Sequence, residues 1–262
     1  MITAQLVKEL RDRTGISMMD CKSALVEAAG DIDKAIEVLR KKSIIKAEKK
    51  SSRATNEGVI VLGKTNDGDF IIEVNTETDF AAKDADFKLF LSDLSDFCSD
   101  KNPKDLNELE ELYKNQLLEI IQKIGENIKI SYFEKISSDG AFIYSYLHTD
   151  KKLAALVKLD KDQPELGRDI AMQVSANSPL AILAENIDQN ILDKEKEIAI
   201  ATLEGENKPD DIKEKIVMGK LNKFKQENSL VEQPFIKDPD QKIKDILNGA
   251  TILAFARKKV GQ

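Results

Sequence analysis

The chain has 262 residues, 41% hydrophobic and 33% charged, with 40 basic against 47 acidic side chains and a net charge of −7. That is too much apolar material for a disordered chain. It is also too acidic a balance for a general nucleic-acid binder or for docking on an anionic membrane. At about 100–200 residues per domain, the length allows one large domain or a few small ones. Cys21 and Cys98 are too few and too far apart for a disulfide framework or a paired metal site, and read as buried reduced thiols. No apolar run is long enough to span a bilayer. The start runs straight into an amphipathic helix with acidic residues close behind, unlike a secretory signal or a transit peptide. These features predict a cytoplasmic, unprocessed chain.

The first fifty residues predict three short helices. Thr3 is placed to cap the first, whose apolar positions are Leu6, Val7 and Leu10, and Gly15 ends it. Ser17 to Asp20 has capping-box spacing ahead of Ala24, Leu25 and Ala28, and Gly30 stands where a left-handed cap is wanted. Asp31 caps the third helix, with Ile32, Ala35, Ile36 and Leu39 at helical spacing. So small a module is marginal alone. The basic stretch Lys41, Lys42, Lys46, Lys49, Lys50 and Arg53 follows. Without interleaved aromatic residues it reads as a solvated helix end and linker rather than a phosphate-binding patch.

From Glu57 the period changes. Val59 to Leu62 and Phe70 to Val74 read as a β-hairpin turned by Asn66-Asp67-Gly68-Asp69. A helix follows with Phe87, Phe90, Leu91, Leu94 and Phe97 on one face, then another from about Leu106 to Ile124. The pattern recurs: strands Ile128 to Phe133, Phe142 to Leu147 and Leu153 to Leu159, the first two joined by Ser137-Ser138-Asp139-Gly140, then a helix from Pro164 carrying Leu166, Ile170, Ala171 and Val174. Two charged helical stretches between Ile191 and Phe224 are joined at Gly205-Glu206-Asn207-Lys208-Pro209. Their sparse stripe is Ile198, Leu203, Ile212, Ile216 and Leu221, which suits two helices packed on each other. A helix from Gln241 to Asn248 and a strand from Thr251 to Phe255 close the chain. The predicted class is α+β, with a helical module and linker at 1–54 and related α+β subdomains at 55–140 and 141–262. The helical hairpin falls at about 189–227 of the numbering.

Catalytic signatures are sparse. Gly58 to Thr65 satisfies the pattern GxxxxGK[ST], yet the four intervening residues are Val-Ile-Val-Leu, which should be strand, and no helix N-terminus follows to cradle a phosphate. The single histidine, His148, lacks a nucleophile elbow and reads as a strand-end residue. No HExxH, CxxC or calcium-loop motif occurs. The expectation is a protein without catalytic centre, cofactor or metal. Phe80 sits oddly. Seven residues ahead of Phe87, it fits a first-turn core residue, and the alternative is an apolar tip that wedges into a partner.

Several runs resemble the bacterial elongation factor Ts family. They are Leu6 to Gly15, Met18 to Leu25, Glu73-Val74-Asn75 with Thr78-Asp79-Phe80, Lys123 to Ile128, and Gln233-Pro234-Phe235. They keep their order over nearly the whole chain. The resemblance implies a guanine nucleotide exchange factor for elongation factor Tu, bound in its GDP and nucleotide-free forms, acting without direct nucleic-acid or membrane contact. It implies that the N-terminal module resembles a ubiquitin-associated domain and docks through Arg11, Met18, Met19 and Lys22. By the same resemblance Phe80, beside Asp79, is the wedge, and Phe80-Ala81-Ala82-Lys83 acts in dislodging Mg²⁺. Ile124, Gly125 and His148 are further contact positions, and the helical hairpin matches a coiled-coil insertion, a candidate surface for self-association. Ala81 stands where the family more often has valine. The chain stops at Gln262, where some relatives carry a further helical module.

Overall fold

The computed structural model describes residues 2–204 and 209–262, apart from the side chains of Ser43, Lys46, Glu48 and Lys49. The chain divides into two compact units. The first runs to Lys135 and takes in Thr149–Lys152 and Lys259–Gln262; the second comprises Ile136–His148 and Leu153–Lys258.

The first unit begins with α1 (Ala4–Thr14), α2 (Met18–Glu27) and α3 (Ile32–Lys50). The Thr3 hydroxyl accepts the Leu6 amide, and Gly15 ends α1 with φ of 68°. The Ser17 hydroxyl accepts the Asp20 amide and donates to its carboxylate at 2.8 Å. Leu10, Cys21, Ala24, Leu25, Ala35 and Leu39 pack into one small core. Helix α3 runs on to Lys50, so the basic stretch is mostly helix rather than linker. Lys42 pairs with Glu27 at 2.7 Å, and Lys50 donates to the Gly125 carbonyl at 2.6 Å. The reading of Lys46 and Lys49 as solvated lies outside the described side chains.

β1 (Glu57–Lys64) and β2 (Gly68–Thr76) form the expected hairpin, with Val59 opposite Val74 and Leu62 opposite Ile71. β3 (Ile128–Ser137) completes a sheet of order β1-β2-β3. The turn expected between β3 and the next strand forms at Ser138–Ala141, with Ala141 N–H donating to the Ser138 carbonyl, while β3 itself pairs with β2. α4 (Asp79–Lys83) and α5 (Ala85–Lys101) follow the hairpin. The single helix expected from Leu106 to Ile124 is two, α6 (Leu106–Leu112) and α7 (Lys114–Ile124), broken at Tyr113. Tyr113 leaves helical geometry to pack its ring against Phe90 and Phe97 at 5.6 and 4.8 Å. The core gathers Phe70, Ile72, Phe87, Leu94, Leu109, Ile128 and Ile130, and Ala47 of α3 is buried in it.

The P-loop-like segment is β1 itself. A Cβ at Gly58 would lie 2.4 Å from the Val74 carbonyl oxygen, and one at Gly63 would strike the Phe70 ring. These glycines let the strand approach its neighbours, and the segment leads into a second strand rather than a helix N-terminus.

In the second unit β4 (Phe142–Leu147), β5 (Leu153–Leu159) and β8 (Ile252–Lys259) form a sheet of order β4-β5-β8. α8 (Pro164–Asn177) packs across β4 and β5 with Ile170, Ala171 and Val174 inward. Gly167 lets α8 close on the Tyr144 ring, 2.0 Å from where a Cβ would stand. α9 (Gln189–Ala201) and α10 (Asp210–Asn228) make a packed helical pair, and the turn expected at Gly205 to Lys208 lies outside the described residues. The pair buries Ala199, Leu203 and Val217, with Ile216 and Leu221 alongside, whereas Ile198 and Ile212, expected in the stripe, are exposed. The closing helix is only α11 (Ile243–Ile246), because Asp238–Lys242 is strand β7, paired with β6 (Pro234–Phe235). Buried Gln173 donates to the Gln233 side chain and accepts from Ile236 N–H, which gives the Gln233-Pro234-Phe235 run an architectural role.

Two predictions follow from the first unit. Gly58→Ala forces backbone against backbone and should destabilise by about 1–3 kcal/mol in a urea melt. The hairpin turn depends on Asp67, which accepts from the Thr65 hydroxyl and pairs with Lys135. Hydrogen bonding from Thr65 above all, then from Asn102 and Lys135, holds its carboxyl down at about 2. Because the folded value lies below the unfolded one of about 3.9, its stabilisation is complete above pH ~4 and is lost as pH falls through about 2. The melting temperature of Asp67→Asn should therefore trail wild type near neutrality and converge with it in strong acid.

Candidate partner-binding site

Three groups of surface residues in the first unit stand out. On α2, burial of Cys21, Ala24 and Leu25 turns the opposite face outward, leaving Met18 41% and Met19 77% exposed, with Lys22 beside them. Arg11 is exposed on the last turn of α1. Among the described residues neither Arg11 nor Lys22 makes an ion pair, so both charges remain available to a partner. Val26, seven residues beyond Met19 and on the same helical face, is also exposed. Sequence reasoning passed over it, although the i, i+7 spacing was there to be read.

The second group is α4. The expectation that Phe80 is a core residue is corrected: it is 81% exposed. Asp84, with φ of −59° and ψ of 145°, interrupts the helix between Lys83 and Ala85, so the phase that buries Phe87 does not extend back to Phe80. Ala81 is buried and Ala82 packs against the core, so the turn rests on its two alanines while the Phe80 ring stands exposed. Lys83 donates to Asp79 at 2.7 Å. That bond is the main reason the Asp79 carboxyl lies below its usual range, with Lys152 adding to it.

The third group is the α7–β3 junction. Ile124 packs against the core, and Gly125, with φ of 87°, ends α7 with open space above its Cα. The next residue reaches back to α4. Glu126 accepts the Thr78 amide at 3.0 Å on one carboxylate oxygen and the Thr78 hydroxyl at 2.7 Å on the other. The same hydroxyl accepts the Ala81 amide as the N-cap of α4, and the Thr76 hydroxyl donates to the Thr78 carbonyl. A second carboxylate answers from the other side: Glu77 accepts the Asn127 amide at 2.6 Å and the Arg53 guanidinium at 3.3 Å. Asn127 in turn donates to the Arg53 carbonyl at 2.9 Å. Thus α4, the Ile124–Gly125 corner and the exit of α3 are fastened together. Sequence reasoning named Thr78 and Glu126 only as parts of motifs. The Thr78 cap is signalled by its position three before Ala81, but a pairing across 48 residues has no local signal.

His148 belongs to the second unit, at the end of β4, exposed and 3.0 Å from the Tyr146 hydroxyl through Nδ1. Its backbone amide donates to the Leu153 carbonyl. Among the described residues no three His, Cys, Asp or Glu side chains are grouped to hold a metal ion. Cys21 and Cys98 are buried and unpaired, and burial pushes both thiols up, Cys98 to about 12. Among the described residues no helix is long and apolar enough to cross a membrane.

Comparison with known proteins gives one answer along the chain. The family model described as elongation factor TS matches residues 77–262. Elongation factor Ts of Marinobacter nauticus is 44% identical over 266 residues, covering all of this chain and 91% of that protein. The protein of the same name from Teredinibacter turnerae is 41% identical over 267 residues, with the same coverage. That of Clostridium kluyveri is 44% identical over 256 residues, covering 92% of this chain and 84% of its own. With its characteristic motifs carried on the elements described above, the chain belongs to the elongation factor Ts family of translation elongation factors.

Proposed function

We propose that this protein is a guanine nucleotide exchange factor for elongation factor Tu. It binds the GDP form, opens the phosphate and Mg²⁺ site, and releases GDP so that GTP can load during elongation. It acts in the cytoplasm as a binding protein, with no chemistry of its own. The observation that carries this reading is Phe80, 81% exposed at the second position of a helix whose base is hydrogen-bonded on two sides. A large apolar ring is held in water most readily where a partner will bury it.

The physics is linkage. If the factor binds best to a GTPase whose phosphate and Mg²⁺ contacts are broken, factor and nucleotide weaken each other's binding by the same factor. Each tenfold in that coupling needs about 1.4 kcal/mol of differential contact. The Arg11, Met18, Met19 and Lys22 face supplies affinity, and Ile124 and Gly125, and separately His148, are further contact positions. Phe80 converts binding into distortion, with Asp79 and the Ala81 to Lys83 turn beside it acting on the Mg²⁺ site.

Stopped-flow release of fluorescent GDP from purified elongation factor Tu tests this. The wild-type chain should accelerate release with a saturable dependence on concentration. Burying a Phe side chain contributes about 1.5–3 kcal/mol, so Phe80→Ala should slow the maximal rate by about ten- to a hundredfold. Full activity in Phe80→Ala moves the wedge elsewhere, and no acceleration by folded wild type leaves an adaptor that binds without exchanging. Met19→Ala should behave differently, raising the half-saturating concentration with the maximal rate nearly kept, because uniform binding and transition-state binding separate in this way.

A further inference from the structure

An exposed ring can distort a partner only if its own base does not give way. Phe80 stands on a helix of five residues, Asp79–Lys83. A helix that short is not stable by its own hydrogen bonds. Left to itself, such a turn would answer the force of insertion by unwinding, and binding energy would go into the factor instead of the GTPase. What restrains it here is a side chain from another part of the chain. The Glu126 carboxylate grips Thr78 twice, at the amide and at the hydroxyl. The hydroxyl, donating its hydrogen bond to Glu126, is oriented to accept the Ala81 amide, the N-cap bond of α4. The carboxylate thus fixes the rotamer of the cap, and the cap fixes the turn that carries Phe80. Ala81 is buried beneath.

We infer that Glu126 is a positioning residue for nucleotide exchange, holding Phe80 rigid through Thr78 so that insertion deforms the partner and not this protein. The inference rests on the exchange reading. It makes Glu126 distinct from the surface that binds. Removing it should spare affinity, which comes from other faces, and reduce how much of that affinity reaches the nucleotide site.

The same stopped-flow assay, run to saturation on the full chain, separates the possibilities. Glu126→Ala should lower the maximal GDP release rate by about tenfold, the scale of losing charge-assisted hydrogen bonds, with the half-saturating concentration nearly unchanged. Added to Phe80→Ala, it should lower the rate no further, since it acts only through that ring. If Glu126→Ala fails to fold, the hydroxyl decides the matter: Thr78→Val should show the same loss of maximal rate, and Thr78→Ser should restore it. A wild-type maximal rate in Glu126→Ala or Thr78→Val overturns the inference while the exchange reading stands. So does a loss of equal size in the Phe80→Ala background, which marks a general folding role. Failure of the wild-type chain to accelerate release overturns the exchange reading and this inference with it.

Discussion

Two carboxylates from different segments each reach across to the other's backbone: Glu126 takes the Thr78 amide, and Glu77 takes the Asn127 amide. Charge-assisted bonds of this kind are short and strong, and the exchange is reciprocal, so neither loop can shift without breaking both. Arg53 joins at Glu77, and Lys50 donates to the Gly125 carbonyl. The end of the helical module, the corner at Ile124–Gly125 and the turn carrying Phe80 therefore share one small network. The sheet β1-β2-β3 and the aromatic core beneath it provide the platform, but this network decides what that platform presents.

On the exchange reading proposed above, its importance follows from what a binding protein must do to act on another protein's ligand. Contact area alone yields affinity, and a ligand that binds two states of its partner equally shifts nothing. Work on the partner requires a feature that meets one state and not the other, and a mount stiff enough to transmit force. Phe80 has the exposure of such a feature and Thr78 with Glu126 has the geometry of such a mount. The α2 face, rich in Met18, Met19 and Val26, has a different character. Methionine is adaptable and fits irregular surfaces, a property suited to docking rather than to distortion.

Much of the fold was legible because its signals are local. Thr3, Ser17 and Asp31 cap where their spacing places them, and the expected hairpin forms, with Gly68 and Asp69 already in its second strand. The misreadings share a cause: local pattern was overruled by distant partners. Tyr113 breaks a helix that its own sequence would continue, because Phe90 and Phe97 offer it an aromatic pocket. Gln241 and Lys242, where a helix is expected to begin, belong instead to the strand paired with Pro234–Phe235. Of the candidate site, Phe80 was visible as an anomaly, and only the family resemblance turned it from core residue to wedge. The residue that resolves it physically is Asp84, whose extended backbone resets the helical phase. Glu126 was present in a quoted motif, but its hydrogen bonds to Thr78 exist only in three dimensions.

For Phe80 to transmit force, α4 must be held before any partner arrives, and amide hydrogen exchange in the free protein reads that directly. The Thr78 amide is bonded to Glu126 and the Ala81 amide to the Thr78 hydroxyl. Both should exchange well below the rate of an unstructured chain in wild type, and both should lose that protection together in Glu126→Ala. Exchange of these two amides at the unstructured rate in the wild-type protein would mean that Phe80 sits on a frayed turn, and that whatever force this protein applies to its partner comes from somewhere else.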